Sequence, residues 1–284
     1  MSSPRRLLPA LLLTGSAFSS VLAQSPAPSL PDALSNARAQ GCSGRQGVEQ
    51  PFRQVPALAD AARRIAQGAS LESALSQAKY RATRSFQISL RGYGSAAAAV
   101  QAVRSRWCEA LTNPELSDVG VYRRGDATWI VLADPFSPPE PGKAEEVARQ
   151  VLELVNRARG QPRQCGDKPF GAAPALTLAP ALHRAAELHS RDMARNSFMA
   201  HQGSDGSTVS DRVDRAGYDW RTVGENVAAG PETAEQVVQG WLQSPDHCAN
   251  IMQPAFTEMG VAWATDRQSQ AGIYWTQVLA RPRS

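Results

Sequence analysis

All four histidines of this 284-residue chain lie in its second half, at positions 183, 189, 201 and 247. An imidazole changes charge near neutral pH and offers either a proton or a lone pair. Histidines joined by a carboxylate therefore have the residue types for three kinds of work. Two neutral imidazoles converging on one point suit a divalent cation such as zinc, with water completing the shell and the carboxylate orienting that water or a ring. Open positions on such an ion would activate water for hydrolysis. The same side chains also suit a hydrogen-bonded network that only holds two walls together.

The neighbouring polar residues have plainer readings. His189 shares a helical stripe with Leu182, Ala185 and Met193, which predicts a packed, hydrogen-bonded ring. His183, beside Arg184 and near Glu187, is expected on a solvated face. Ser244 stands three residues before His247, but no glycine elbow or oxyanion motif surrounds it, so a turn or cap is expected. Asp205-Gly206 within GSDGS is a turn signal, lacking the length and acidic repeat of an EF-hand loop. Trp220, Trp241, Trp263 and Trp275 read as core or groove wall, and Asn226 as a residue that pins a loop through hydrogen bonds.

Several elements must position these groups. Val147, Val151, Leu154 and Ala158 predict an amphipathic helix over 144–159, with Gly160 as its stop. A second helix starts at Pro180, suited to a first turn. A third follows Thr233-x-x-Gln236, a capping-box pattern. Gly260 to Ala264 and Ile273 to Ala280 predict an antiparallel hairpin across DRQSQAG. Val119 to Tyr122 and Trp129 to Leu132, about Arg124-Gly125-Asp126, predict another in the first half.

The chain reads as two unequal copies. Asn36-Ala37-Arg38 echoes Asn156-Arg157-Ala158-Arg159, Cys42 echoes Cys165, and Pro56-Ala57-Leu58 with Ala61-Ala62 echoes Pro180-Ala181-Leu182 with Ala185-Ala186. Cys108 answers Cys248, and Val119-Gly120-Val121 answers Met259-Gly260-Val261. The second copy is longer within the region containing Met199 to Asp214. Each copy owns one early and one late cysteine, so the repeat predicts disulfides Cys42 with Cys108 and Cys165 with Cys248. The first copy has no histidine and cannot support a histidine-dependent site.

Residues 1–23 have a cleavable signal peptide's layout: Arg5-Arg6, an apolar stretch from Leu7, and Val21-Leu22-Ala23. That stretch is interrupted and falls short of the roughly 20 residues of a membrane span. The expected product is exported, periplasmic or extracellular, where disulfides persist. The expected organisation is a flexible lead-in over 24–31, a degenerate domain over 32–136, a Pro-rich linker over 137–143 within the break DPFSPPEPGK, and a second domain over 144–284. Beyond residue 23 the chain carries 28 basic and 26 acidic residues, which argues against a nucleic-acid partner. Residues 24–136 hold 13 basic against 9 acidic, and the remainder 15 against 17.

The second copy resembles the CAP superfamily (cysteine-rich secretory, antigen 5 and pathogenesis-related 1 proteins; SCP domain) in its bacterial form. The resemblance rests on NRARG, AAELHSRDMARNSFMAH, GSDGS, RVDRAGY, GENVAAG, WLQSPDH and MGVAWA, in the family's order. It implies an α+β fold of two tandem α-β-α sandwiches, each an antiparallel sheet flanked by helices, the first copy joining only through the repeat. It also implies a cleft lined by His201, Glu225 and His247, with Asn226 and Ser244 beside it. The glutamate that many eukaryotic members carry after the tryptophan of the third helix is missing here, where Leu242-Gln243-Ser244 stands; Asp246 is not taken to replace it. The resulting expectation is a binding module for a lipid, sterol-like ligand or cell-envelope component, without an assigned catalytic residue. The alternative is a zinc-dependent hydrolase or peptidase with His201 and His247 as ligands and Glu225 as base. A third is a scaffold for envelope proteins acting through the first copy.

Overall fold

A computed structural model describes residues 28–283. The N-terminal half contains α1 (Leu30–Gln40), β1 (Arg53–Gln54), α2 (Pro56–Ala66), α3 (Leu71–Gln77), β2 (Ala82–Leu90), α4 (Ala96–Arg106), α5 (Cys108–Leu111), β3 (Asp118–Arg124) and β4 (Ala127–Pro135). A 3-10 turn, Pro141–Lys143, leads into the C-terminal half. That half contains α6 (Ala144–Arg159), β5 (Arg163–Cys165), β6 (Lys168–Phe170), β7 (Thr177–Leu178), α7 (Pro180–Asn196), α8 (Val209–Arg215), β8 (Trp220–Ala229), α9 (Ala234–Gln243), α10 (Pro245–Met252), β9 (Glu258–Thr265) and β10 (Ile273–Pro282).

The fold is α+β, with two four-stranded sheets of the same order, β1-β3-β4-β2 and β7-β9-β10-β8. In each, the short first strand pairs in parallel and the other pairings are antiparallel. Helices cover both faces, so the central strands bury both side-chain sets and lose the alternation of a half-exposed strand. In β10, Trp275 and Leu279 face the core beneath α6, α9 and α10, while Val278 and Ala280 face α7 and α8. In β4, Ile130 and Leu132 pack toward α1 and α4, and Val131 and Ala133 toward α2 and α3.

Two details recur in both halves. A Cβ on Gly260 would lie 2.1 Å from the His183 nitrogen, and one on Gly120 would lie 2.1 Å from the Leu58 carbonyl carbon. Glycine is what lets α7 and α2 lie against their strands. Arg38 and Arg159 are almost fully buried and hold separate chain segments through backbone carbonyls: Arg38 those of Leu111 and Leu116, Arg159 those of Pro174, Ile251 and Gln253. Both disulfides form as the repeat predicts, Cys42 with Cys108 and Cys165 with Cys248.

Several expectations need correction. The buried stripe of α6 is Val147, Val151, Val155 and Ala158, with Leu154 only half-buried, and Gly160 ends the helix in a right-handed conformation. Asn36 is exposed; it is Ser35 whose hydroxyl accepts from the Phe52 amide, as Asn156 accepts from Leu176. The Pro-rich break is shorter than its composition suggests, because β4 runs through Pro135 and Phe136 is buried in the core of the C-terminal half. Helix α1 begins at Leu30, two residues inside the expected lead-in. The signal-peptide reading falls outside the described residues. Among those residues no helix is long and apolar enough to cross a membrane.

Candidate functional site

The site is organised by β8, an edge strand in which Glu225 and Asn226 are adjacent and point to opposite faces. On the α7 and α8 side, Glu225 is buried and both its oxygens are engaged. Oε1 accepts from His201 Nδ1 at 2.9 Å, and Oε2 accepts from Arg212 Nη2 at 2.7 Å. A carboxylate can only accept, so His201 carries its proton on Nδ1 and turns Nε2 outward; the side chain is 61% exposed.

On the opposite face, Asn226 is fully buried and donates to the His247 carbonyl and to Gln277 Oε1. Asn250 Nδ2 donates to the Glu225 carbonyl and to Asn226 Oδ1. These bonds clamp α10 to the strand edge and fix His247 through its backbone. Asn226 therefore pins a helix, not a loop.

The segment carrying His201 leaves α7 through Ser197 in the left-handed conformation (φ 52°) and is held from below. His189 donates Nε2–H to the Ala200 carbonyl at 2.8 Å, and Arg212 donates to the carbonyls of His201 and Ser207. Asp192 accepts from the Ser204 amide, and the GSDGS turn closes on itself through Gly203 and Ser207. Arg212 in turn is placed by a reciprocal capping box, Thr208 with Asp211, that starts α8.

The titrations differ by environment. The hydrogen bond to Glu225 raises the pKa of His201 above the ordinary histidine value. Burial lowers that of His189, which has no solvent exposure and whose Nδ1 has no partner among the described residues. His247 is also lowered, first by burial and then by the nearby charge of His201.

Of the residues expected at the site, His201 and Glu225 are in direct contact, His247 feels the charge of His201, and Asn226 supports the strand from behind. Ser244 precedes α10, where its hydroxyl does not cap the helix; it is a turn residue. Asp246 is exposed in the first turn of α10. His183 is not on a solvated face: it is half-buried, with Nδ1 2.7 Å from the Val261 carbonyl. Trp241 and Trp275 are core, and Trp263 stacks at a tilt on Trp275. Arg212 was missed by sequence reasoning. Its signal was a charged residue on the stripe Val209, Arg212, Val213 and Ala216, where only apolar side chains are expected.

Among the described residues no group of three or more His, Cys, Asp or Glu is arranged to hold a metal ion. His201 Nε2 and His247 are the available imidazole donors, and Glu225 stands behind His201 with no oxygen free. This donor set does not fit the three-ligand pattern of a hydrolytic zinc site.

The helix-flanked sheet belongs to a known class. Residues 152–279 match the profile of CAP, the Cysteine-rich secretory protein family, and the chain carries a CAP domain there. "Uncharacterized protein YkwD" of Bacillus subtilis (strain 168) is 31% identical over 169 residues, 60% of this chain and 60% of that protein. "Uncharacterized membrane protein YlbC" of the same organism is 30% identical over 89 residues, 31% of this chain and 24% of that protein. This chain thus spans less than two thirds of either relative. An extracellular protein containing a SCP domain from Bacillus anthracis str. Ames matches with a TM-score of 0.41 at 23% identity, over 55% of this chain and 52% of that one. The paired cysteines fit an exported chain, since oxidising compartments preserve disulfides.

Proposed function

We propose that the C-terminal domain is a binding module for a lipid or cell-envelope component, recognised at His201 and His247. In this reading the N-terminal half is a copy of the same plan that has lost the site. The observation that carries it is a comparison within the chain. Glu225 pairs with Val278, which pairs with Gly260; the same ladder position in the N-terminal sheet runs Gln87, Val131, Gly120. By that register Ile88 stands for Asn226 and Ile130 for Gln277. Arg212 precedes Val213, whose carbonyl accepts from the Tyr218 amide; Ala74 precedes Leu75, whose carbonyl accepts from the Tyr80 amide. Ile65 lies seven residues after Leu58, as His189 lies seven after Leu182, and Trp107 precedes Cys108 as His247 precedes Cys248.

A sheet of the same order thus carries Ala74, Ile88 and Ile130, with a half-buried Gln87, where the C-terminal half buries a charged pair and two amides. Burying such groups is costly unless every one is bonded. The fold does not require them, which favours a role in recognition. The longer second copy supports the same view. Helix α7 has 17 residues against 11 in α2, and the segment from Ser197 to Thr208 replaces a four-residue link, Gln67 to Ser70. That added piece carries His201, and it ends before α8, short of Asp214.

The test is cosedimentation of the full chain with purified cell-wall polymer and with phosphatidylethanolamine vesicles. Binding that falls at least tenfold in His201→Ala/His247→Ala supports the site; equal binding by both proteins removes it.

The zinc-dependent reading is favoured by one feature, the Glu225 bond that orients His201 Nε2 outward, as carboxylates do behind metal-bound histidines. A calorimetric zinc titration of the metal-stripped chain separates the two. Micromolar or tighter zinc in the parent alone, with turnover lost in Glu225→Gln, carries the hydrolase reading. No difference between parent and double variant leaves the cluster to recognition.

A further inference from the structure

A groove of about 1010 Å³ opens where the two halves meet. Its N-terminal wall carries Lys79, Arg81 and Arg84, and its C-terminal wall is the β9–β10 turn with Arg267. Glu72 is the carboxylate residue of the lining.

Arg81 joins the halves. It donates Nη1 to the carbonyls of Arg267 and Ser269 and Nη2 to that of Gln270, and its guanidinium lies 5.0 Å from the Phe136 ring centroid. Gly272 leaves the room for it, since a Cβ there would come within 2.5 Å of Arg81 Nε. Arg267 approaches the same ring, at 5.7 Å.

Two guanidiniums therefore share one aromatic ring. Arg84 is paired with Glu115, but among the described residues neither Arg81 nor Arg267 nor Lys79 forms a salt bridge. Arg81 uses carbonyl dipoles, which satisfy its donors without cancelling its charge. Three of its five N–H donors are used, leaving two for a ligand. Like charges gathered in a concave wall raise the local concentration of anions and are relieved by one. Arg267 also borders a second groove, of about 480 Å³, that adds Arg195 and the Arg191–Glu187 pair, with Asp266 beside them. The side holding Lys79 and Arg81 belongs to the half with the basic excess, 13 residues against 9 over 24–136.

We propose that this junction groove, with Lys79 on its wall and Arg81 and Arg267 over Phe136, is a second binding site that takes a phosphate-bearing anion. Guanidiniums match phosphate geometry and stack on aromatic faces, whereas an apolar ligand would leave both charges facing each other. The site depends on both halves, so it gives the N-terminal half a use that does not involve histidine. It is independent of the His201 cleft, and its failure would not bear on that reading.

The test uses the full chain, its Lys79→Gln/Arg267→Gln variant and His201→Ala/His247→Ala. Inorganic phosphate is titrated by calorimetry, and vesicles of phosphatidylglycerol are compared with phosphatidylcholine by cosedimentation. Both substituted groove side chains are exposed, and an unchanged thermal unfolding profile confirms that the fold is kept. The expected result is phosphate or phosphatidylglycerol binding that weakens with salt, drops at least tenfold in the groove variant and is unchanged in the histidine variant. Affinity for inorganic phosphate identifies a soluble anion as sufficient; binding to phosphatidylglycerol alone identifies a lipid headgroup. The proposal is overturned if neither probe binds, if the groove variant binds as the parent does, or if only the histidine variant loses binding.

Discussion

Replacing Arg212 by methionine removes the guanidinium from one of the most enclosed ion pairs in the chain. Its side chain is 5% exposed, that of Glu225 is 2%, and the two meet at 2.7 Å. Arg212→Met leaves the Glu225 carboxylate buried with the hydrogen bond from His201 and the His189 ring 3.9 Å away, and frees the carbonyls of His201 and Ser207. Breaking a buried pair by removing one member costs about 3–5 kcal/mol, because the remaining charge keeps its desolvation penalty. For a unit of this size that is a fall in Tm on the order of 10–15 °C. The double variant Arg212→Met/Glu225→Met removes both charges and approaches what the N-terminal half has at Ala74 and Gln87. Its stability is expected within about 1 kcal/mol of the parent. Urea unfolding followed by near-UV circular dichroism measures all three proteins, with stability taken by linear extrapolation. The reasoning fails if Arg212→Met costs less than about 1 kcal/mol, or if the double variant is as unstable as the single one.

The remaining predictions concern titration, close approach and the disulfides. Glu225→Gln is expected to bring the raised His201 pKa back down, read from imidazole proton shifts by NMR. His201 contributes stability below its unfolded pKa of about 6.5 and loses it as pH rises through the higher folded value. His189 and His247, lowered by burial, work in the opposite sense: their contribution is present above about 6.5 and is lost as pH falls through their folded values. His189→Leu should therefore flatten the acid side of a stability–pH curve measured by urea midpoints. Gly260→Ala forces a methyl group into the backbone of α7, and a loss of about 3 kcal/mol or more is expected in urea unfolding. Replacing Cys165 and Cys248 by alanine should cost about 2–5 kcal/mol in the same assay.

Much of this protein was legible from residue order. Apolar spacing with Pro180 and Thr233 located α7 and α9, since each helix shows its periodicity and its start in a local window. One early and one late cysteine in each half sufficed to pair them, because the matching stretches of sequence put each pair at equivalent places. The motifs around His201, Glu225 and His247 singled out the candidate residues, but their chemistry depends on neighbours that are distant in sequence. Alternation along β8 turns Glu225 toward Arg212 and Asn226 toward Asn250, and no local pattern states which face either side chain will meet. Arg212 interrupts an apolar helical stripe, but its partner is decided only when α8 packs it against the edge strand. His183 reads as solvated until Gly260 admits α7 close enough for its ring to reach the Val261 carbonyl. The groove at the junction had no sequence signal, since Arg81, Phe136 and Arg267 come from three segments that only the docking of the two halves brings together. Sequence determined the elements, the cross-links and the candidate side chains, because those follow from local periodicity and repetition. Tertiary structure decided which charges were neutralised and which were left facing one another, because that depends on distances across the fold.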